Sequence, residues 1–254
     1  MYRPEDSAKQ NRNPSSQGTL KAVQQTSGTN SPSHGSAMVT QAASAPVTNN
    51  FLGYIDGRRT PVKYSKYDII FSQGDNADSV FYIQKGKVKL TVASKTGKVG
   101  VIAILGANDF LGEVCLAGSA RRIATAVAMT QCTVFEIEKW ALIRAIREQP
   151  ALSQDFVAYV LSSSVRVQEQ LVDHLFHATE KRLARALLLL VQVGREEEAA
   201  HPISWITQET LAEMIGTTRE TVNHLLNKFK RLGLVDYDAG LKVHCSLLSA
   251  ILKE

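Results

Sequence analysis

The sequence predicts an α+β protein: an antiparallel β sandwich or barrel, then a long helix, then a C-terminal winged helix-turn-helix. Three observations support this fold class. Short apolar or alternating runs separated by turn residues fill the segment from about Tyr64 to Glu138. A helical apolar period then continues from Ala151 to Ala178. Two short helical patterns joined at Gly216, followed by a hairpin pattern, complete the chain.

Length and composition limit the classes of protein that fit. A chain of 254 residues suggests one large or two medium domains, and 44% hydrophobic residues is ordinary for a globular protein. The net charge of +5 permits a polyanionic partner without requiring one. The three cysteines form no CxxC pair, so we expect buried thiols rather than disulfides, and they cannot supply the four thiolates of an iron–sulfur cluster.

Motif searches give no indication of an enzyme or a membrane protein. The sequence has no P-loop, HExxH or nucleophile elbow, and its six histidines are scattered without a metal-ligand spacing. The apolar run from Ala186 to Val193 is too short to cross a bilayer, and no secretory signal precedes the first domain. We therefore expect a cytoplasmic protein with no catalytic activity, no metal site and no membrane contact.

The predicted organisation starts with a disordered tail. Residues 1–50 are rich in Ser, Gln, Asn, Thr and Ala, and such a segment cannot bury enough apolar surface to offset its ordering entropy. Residues 51–149 form the predicted β domain, with strands at Lys87–Val92, Val99–Leu105, Ile123–Met129 and Cys132–Ile137. Turn residues, among them Lys85-Gly86, separate these runs.

One loop of this domain carries the chemistry of a binding site. Gly112 lets a ligand approach the backbone closely, because glycine has no Cβ. The carboxylate of Glu113 can accept hydrogen bonds from sugar hydroxyls, and the guanidinium of Arg122 suits a phosphate. Together they could hold the two ends of a ribose-phosphate. The alternative for these two residues is a surface salt bridge at a turn.

The pattern Gly112-Glu113-x-x-Leu116 with Arg122-x-Ala124-Thr125 resembles the phosphate-binding cassette of cyclic-nucleotide-binding domains. The resemblance implies that Glu113 holds the ribose hydroxyl and Arg122 the cyclic phosphate. Backbone groups at Gly112 and Ala124 and the Thr125 hydroxyl would complete the shell. The segments Asp68–Asp75 and Val80–Gly86 resemble the early strands of the same family, which implies a jelly roll over about Tyr64–Glu138.

Helical periods follow the β domain. Trp140–Ile146 is a predicted short helix that ends before Pro150, and residues 150–178 form the predicted dimerisation helix. Its apolar seam has a period of 3.5 with a polar centre, at Val157, Leu161, Ser164, Gln168, Leu171, Leu175 and Ala178. This seam suits pairing with a second copy of the chain; the alternative is a helix packed on its own domain.

Residues 179–254 are predicted to form the winged helix-turn-helix domain. Thr179–Val193 is a helix and Gly194–Pro202 a loop; Thr207–Gly216 is a helix that ends at a glycine turn. Thr217 and Glu220 have the spacing of a capping box that starts a second helix, running to about Leu232. Its polar face presents Arg219, Asn223 and Asn227 on one line, with Glu220 and His224 beside them. These side chains can bind base edges in a major groove.

Charge alone leaves this domain ambiguous. From His201 to the C-terminus, six Lys/Arg balance six Asp/Glu, but the segment Arg219–Arg231 sums to +3. Lys228, Lys230 and Arg231 lie beyond the base-facing residues and can contact phosphates. The alternative is a helical protein–protein module with a solvated face.

Arg219-Glu220-Thr221-Val222 resembles the start of the recognition helix in the cyclic AMP receptor protein (CRP/FNR) family, and with the β domain, long helix and wing the resemblance extends from about Tyr64 to the C-terminus. It implies that Arg219 contacts guanine and Glu220 a cytosine amino group, whereas His224 replaces a second arginine. It also implies a homodimer on palindromic double-stranded DNA, with RNA polymerase as a further partner. The predicted DNA-binding residues are Thr207, Thr217, Thr218, Arg219, Glu220, Asn223, His224, Asn227, Lys228 and Lys230.

The resemblance leaves the effector open. In the cyclic AMP binder of the family a serine follows the cassette arginine, and a Thr-Ser pair on the dimer helix contacts adenine. This chain has Ile123 at the first place and Val167 with Gln168 at the second, so cyclic AMP, another cyclic nucleotide or no ligand all remain open. The predicted effector-binding residues are Gly112, Glu113, Arg122, Ile123, Ala124, Thr125 and Gln168.

Two functions follow from these predictions. The first is a dimeric transcriptional regulator whose DNA affinity responds to a cyclic nucleotide such as cyclic AMP. The second is a cyclic-nucleotide-binding regulatory subunit that acts on a partner protein rather than on DNA.

Overall fold

A computed structural model describes Gly53, Ile55, residues 61–194, Ile203, residues 205–236, residues 240–244 and residues 246–247. The predicted disordered tail, residues 1–50, lies outside the described residues, and so does the predicted loop Gly194–Pro202 except for Gly194. Cys115 and Cys132 are buried free thiols, as predicted, and Cys245 lies outside the described residues.

Eight strands form the β-roll in two four-stranded antiparallel sheets. One sheet has the order β1-β8-β3-β6 and the other β2-β7-β4-β5. The predicted antiparallel sandwich is therefore confirmed. The strands are β1 Pro61–Tyr64, β2 Ile69–Phe71, β3 Ser79–Lys85, β4 Val88–Ala93, β5 Val99–Leu105, β6 Phe110–Leu111, β7 Thr125–Ala128 and β8 Cys132–Glu138.

One predicted strand starts later than expected. Ile123 was placed in a strand, but β7 begins at Thr125 and the Ile123 side chain is 55% exposed. The preceding backbone is used elsewhere: the Arg122 N–H donates to the Asp75 carbonyl, and the Arg122 carbonyl accepts from the Gly74 N–H. The chain at Arg122 is thus joined to the turn between β2 and β3 before it enters its own sheet.

Helix α1 (Lys139–Glu148) is followed closely by α2 (Pro150–Phe176), with Gln149 extended between them because it precedes a proline. One side of α2 packs on the β-roll through the buried Leu152 and Tyr159. The predicted seam lies on a different side, where Val157, Leu161, Ser164, Gln168, Leu171 and Leu175 are all exposed in the single chain. The helix therefore packs on its own domain and leaves the seam uncovered.

The C-terminal domain contains α3 (Thr179–Gly194), α4 (Gln208–Ile215), α5 (Arg219–Arg231) and a hairpin of β9 (Val235–Asp236) and β10 (Lys242–Val243). Gly216 joins α4 to α5 with φ +65, a left-handed conformation that favours glycine. The helix-turn-helix and wing predicted from the sequence are confirmed.

The predicted capping box at Thr217 and Glu220 is wrong by one residue. The Thr217 N–H donates to the Ala212 carbonyl and so belongs to the turn. Thr218 is the N-cap of α5, and its hydroxyl accepts from the Thr221 N–H at 3.3 Å.

The β-roll also contacts the C-terminal domain. Ile104 of β5 packs against the buried core of that domain. Lys89 Nζ lies 3.3 Å from Glu213 Oε2 of α4, and the Lys87 ammonium lies 5.4 Å from the centre of the Trp205 ring. Within the described part of the chain, no helix combines the length and apolarity needed to span a bilayer.

Candidate ligand cassette and nucleic-acid interface

The predicted cassette is built around a buried arginine. Arg122 is 5% exposed, and its guanidinium stacks on Phe71 and Phe81, with its central carbon 4.5 and 5.2 Å from the ring centres. Its terminal nitrogens donate to Ser79 Oγ at 2.9 Å and to the Gly112 carbonyl at 3.3 Å. Its Nε atom is buried and makes no hydrogen bond with any residue that the structure describes.

The backbone conformation and the close contact with Arg122 require glycine at position 112. Its φ of +77 suits glycine, and a Cβ added there would overlap Nη1 of Arg122. The close approach of this backbone to the guanidinium therefore depends on the missing side chain. The sequence analysis assigned both residues to one binding site and left Gly112 open to a ligand, whereas the structure places the Arg122 guanidinium against Gly112.

Glu113 follows at the start of a short 3-10 helix, Glu113–Ala117. Burial raises the pKa of its carboxyl, and the nearby Asp109 carboxyl raises it further; its own backbone N–H and, more weakly, Arg122 and Arg166 act in the opposite direction. The Glu113 carboxyl is therefore a hydrogen-bond acceptor in poorly solvated surroundings. Such a group can bind a sugar hydroxyl strongly, because little water competes for it.

The other four predicted effector residues differ in burial and in their contacts. Ala124 is buried, and the Thr125 hydroxyl accepts from the Gln73 N–H at 2.9 Å. Ile123 is exposed at the bend before β7, and Gln168 is exposed on α2. Among the predicted effector residues, the structure shows a direct contact between Arg122 and Gly112, and Glu113 follows Gly112 at the start of the 3-10 helix.

The sequence analysis missed four residues at this site: Ser79, Asp109, Tyr159 and Arg166. Asp109 is 7% exposed, and its Oδ1 lies 3.5 Å from Arg166 Nη2 of α2. The Tyr159 hydroxyl binds both backbone groups of Phe110. Arg166 could have been noticed, since it is the one Lys or Arg in the sequence of α2.

The α5 helix presents its polar face to solvent. Val222, Leu226 and Phe229 are buried against the helix-turn-helix core. The residues predicted to contact bases, namely Arg219, Glu220, Asn223, His224 and Asn227, are all exposed. A basic side chain, two amides and a carboxylate on one exposed helix face provide the donors and acceptors that distinguish base pairs in a major groove.

Local contacts order part of this face. Asn227 Nδ2 donates to Asn223 Oδ1 at 3.4 Å. The Glu220 backbone N–H and the Thr218 hydroxyl hold the pKa of the Glu220 carboxyl below its usual value, so Glu220 is an acceptor at neutral pH. This is the protonation state that a cytosine amino group requires.

The predicted phosphate-contacting residues differ in exposure and in the side chains that they contact. Thr207 is exposed and caps α4 by accepting from the Thr210 N–H at 3.1 Å, and Thr217 is half-buried in the turn. Lys228 Nζ lies 2.7 Å from Glu180 Oε2 of α3, and Lys230 Nζ lies 3.9 Å from Asp236 Oδ1. Both lysines are therefore already paired within the chain, and a phosphate would compete with these carboxylates.

A helix-turn-helix with an exposed recognition helix, joined to a β-roll that carries the predicted cassette, defines a DNA-binding transcriptional regulator with a ligand-binding domain. Residues 61–149 match the cyclic nucleotide-binding domain model, and residues 181–245 match the Crp-like helix-turn-helix domain. The chain belongs to the cyclic AMP receptor protein (CRP/FNR) family.

Two curated relatives are similar over most of the chain, and one solved structure shares the fold. The chain is 30% identical over 172 residues to the cyclic AMP receptor protein of Thermus thermophilus, covering 67% of this chain and 77% of that protein. It is 28% identical over 177 residues to a CRP-like cAMP-activated global transcriptional regulator of Mycobacterium tuberculosis, covering 69% and 79%. The fold resembles FixK2 from Bradyrhizobium japonicum, with a TM-score of 0.67 at 17% identity, covering 76% of this chain and 97% of that one.

Proposed function

We propose that this regulator acts as a homodimer on a palindromic duplex and that a cyclic nucleotide bound in the β-roll changes its affinity for DNA. Cyclic AMP is the first candidate ligand, because the relatives from Mycobacterium tuberculosis and Escherichia coli are named as cAMP-activated. RNA polymerase is the proposed partner at the promoter, and the bacterial cytoplasm, where the chromosome lies, is the proposed location. The exposed polar face of α5 carries this proposal.

The proposed contacts with DNA divide into base and phosphate contacts. Arg219 donates to guanine, Glu220 accepts from a cytosine amino group, and Asn223, His224 and Asn227 line the same groove-facing side. Thr207, Thr217, Thr218, Lys228 and Lys230 contact the backbone and set the register. The match to a Crp-like helix-turn-helix does not favour the alternative of a regulatory subunit that acts on a partner protein.

The cassette residues have the functional groups that suit a cyclic nucleotide. Arg122 offers a guanidinium with an unbonded Nε, Gly112 leaves room for that guanidinium beside the backbone, and Glu113 supplies a poorly solvated acceptor. Arg122 would hold the phosphate and Glu113 the ribose hydroxyl. Backbone groups at Gly112 and Ala124 and the Thr125 hydroxyl would complete the shell, Ile123 would border it, and Gln168 would contact the base.

The proposed dimer uses the uncovered side of α2. Its large apolar side chains are exposed in the single chain: Val157, Val160, Leu161, Val165, Val167, Leu171, Val172, Leu175 and Phe176. An apolar helix surface of this length with a heptad period suits a parallel partner helix. Two copies would place their α5 helices on one face of the duplex, about one helical turn apart.

The DNA part of the proposal can be tested by selecting duplexes from a random pool and measuring affinity against salt. We expect selected sites with two-fold symmetry, and a log–log salt dependence that reflects several phosphate contacts. Arg219→Ala should lower specific affinity by about 1–3 kcal/mol for each half-site and relax the base preference at one position. Arg147→Ala, which removes an exposed arginine from α1, is the control. Equal selectivity in the Arg219 variant and the wild type would refute the assigned readout.

The ligand part is tested by calorimetric titration with cyclic AMP and with cyclic GMP, followed by DNA binding with and without each nucleotide. Arg122→Ala and the milder Arg122→Lys should both weaken nucleotide binding, since the phosphate loses a bidentate partner. Arg121→Ala, which changes the exposed neighbour, should bind as the wild type does. An unchanged ligand response in both Arg122 variants would rule out the gating role of the cassette.

A further inference from the structure

Helix α2 is attached to the β-roll at the edge of a sheet. Strand β6 is the last strand of the sheet β1-β8-β3-β6, so one of its sides has no neighbouring strand in that sheet among the residues that the structure describes. There the Phe110 N–H donates to Tyr159 Oη at 2.9 Å, and the same hydroxyl donates to the Phe110 carbonyl at 3.2 Å. One hydroxyl can donate once and accept at the same time. Tyr159 therefore bonds both backbone groups of Phe110 from the helix.

Aromatic packing makes this attachment stiff. The Phe110 ring lies edge-on to Tyr159 at 5.0 Å between ring centres and to Phe156 at 5.6 Å. Tyr82 of the neighbouring strand is 5.2 Å away on the other side. Tyr159 itself is 1% exposed, and burial raises the pKa of its hydroxyl far above the ordinary value. The hydroxyl thus stays protonated and keeps its donor.

A second attachment joins the preceding residue to the same helix. Asp109 Oδ2 accepts from the Gly106 N–H at 2.9 Å, while Oδ1 faces Arg166 Nη2 at 3.5 Å. This separation exceeds the 2.7–2.9 Å typical of a charge-assisted hydrogen bond. Neither atom makes a hydrogen bond with a residue in the described part of the chain, although both are buried. Arg166 therefore faces Asp109 as an ion pair and not through a short hydrogen bond.

Both attachments lie directly before the cassette. Asp109 and Phe110 are followed by Leu111 and then by Gly112 and Glu113, where the chain turns into the short 3-10 helix. A displacement of Gly112 or Glu113 would move Phe110 through the two-residue strand β6. Because Phe110 is bonded to Tyr159, the displacement would act on α2 directly and not through the other strands of the β-roll.

We propose that Tyr159 and Arg166 are the positioning residues that transmit the state of the cassette to α2. The inference rests on the proposed cyclic-nucleotide response and assigns its path within one chain. Neither residue needs to touch the ligand. Each fixes the helix to the backbone that the ligand displaces, so removing either should leave ligand binding nearly intact and uncouple it from DNA binding.

The variants are chosen to remove one attachment at a time. Tyr159→Phe keeps the ring and loses only the hydroxyl. Arg166→Met keeps the aliphatic stem and loses the charge, and Arg166→Lys restores a charge of the same sign. Tyr67→Phe and Glu169→Gln are matched controls, because both side chains are exposed.

The measured quantity is the ratio of DNA Kd without and with saturating cyclic AMP, and likewise with cyclic GMP, on the selected duplex. We expect Tyr159→Phe and Arg166→Met to lower this ratio by about tenfold while nucleotide Kd in the absence of DNA stays within about threefold. Because coupling is reciprocal, DNA should also cease to tighten nucleotide binding in these variants. Arg166→Lys should recover part of the ratio, and the two controls should keep it whole.

The outcomes separate this inference from the proposed function. A wild-type chain that responds to a nucleotide, together with equal responses in Tyr159→Phe and Arg166→Met, overturns the inference alone. Parallel losses of both affinities at an unchanged ratio also overturn it, since they indicate a structural role only. A wild-type chain that responds to neither nucleotide overturns the inference and the gating proposal together.

Discussion

Replacing Gly112 with alanine tests the geometry of the cassette directly. Gly112 has φ +77, and a left-handed conformation costs a non-glycine residue about 1–2 kcal/mol. The added Cβ would overlap Arg122 Nη1 and stand 3.2 Å from Cζ. A flexible arginine could move away cheaply, but this guanidinium is stacked on Phe71 and Phe81 and bonded to Ser79.

Moving the guanidinium breaks at least its bond to the Gly112 carbonyl, and a lost hydrogen bond of a buried charged group costs about 1.5–3 kcal/mol. The expected loss for Gly112→Ala is therefore roughly 2.5–5 kcal/mol of unfolding free energy, the sum of the backbone and guanidinium costs. Gly97→Ala is a close control, because Gly97 has φ +79 and a Cβ there would meet nothing within 4 Å. Gly97→Ala should lose only the backbone part, about 1–2 kcal/mol.

Urea denaturation of both variants at one fixed protein concentration measures the difference. The fixed concentration matters because self-association would add to the apparent stability. If Gly112→Ala loses no more than Gly97→Ala, the guanidinium is not confined as the structure shows, and the account of the buried cassette fails.

Three further predictions follow from the same structure. Thr218→Ala should lower thermal stability by about 1 kcal/mol through loss of the α5 N-cap, and Thr217→Ala should cost less; the reverse order would restore the capping register that we rejected. The raised pKa of Glu113 means that the folded chain binds its proton at a higher pH than the unfolded chain does. Unfolding free energy should therefore rise as pH falls through that raised pKa toward the ordinary 4.5, and Glu113→Gln should remove part of this rise in denaturation series at several pH values. Leu161→Glu should shift sedimentation toward the monomer, because it places a charge on an apolar helix side that is 62% exposed in the single chain; an unchanged sedimentation coefficient would argue against the proposed interface.

The sequence was sufficient for the elements whose pattern is local. The β5 strand has the bounds expected from its apolar run, and α5 has the polar face expected from the period of its apolar residues. The turn at Gly216 was predictable because few residues other than glycine adopt its conformation easily. The cap register was missed because Thr217 and Thr218 offer the same hydroxyl, and only the backbone bond from Thr217 to Ala212 distinguishes them.

The cassette was only partly predictable. Gly112, Glu113 and Arg122 lie on one loop and were found together. The partners of that loop come from distant parts of the chain, such as Ser79 from β3 and Arg166 from α2. Their position depends on how the helix packs on the sheet edge, and a periodic pattern in one helix does not carry that information. Nothing in the local sequence indicated that Arg122 would be buried against two aromatic rings.

The contact of Lys87 with Trp205 gives the molecule an intrinsic optical reporter. The sequence has two tryptophans, and Trp140 is 73% exposed on α1, far more solvated than the half-buried Trp205. Indole emission depends on the polarity of its surroundings and on nearby charge, so any separation of the β-roll from the C-terminal domain should change the Trp205 spectrum. With Trp140 replaced by phenylalanine, an unlabelled protein could follow movement between its two modules in real time.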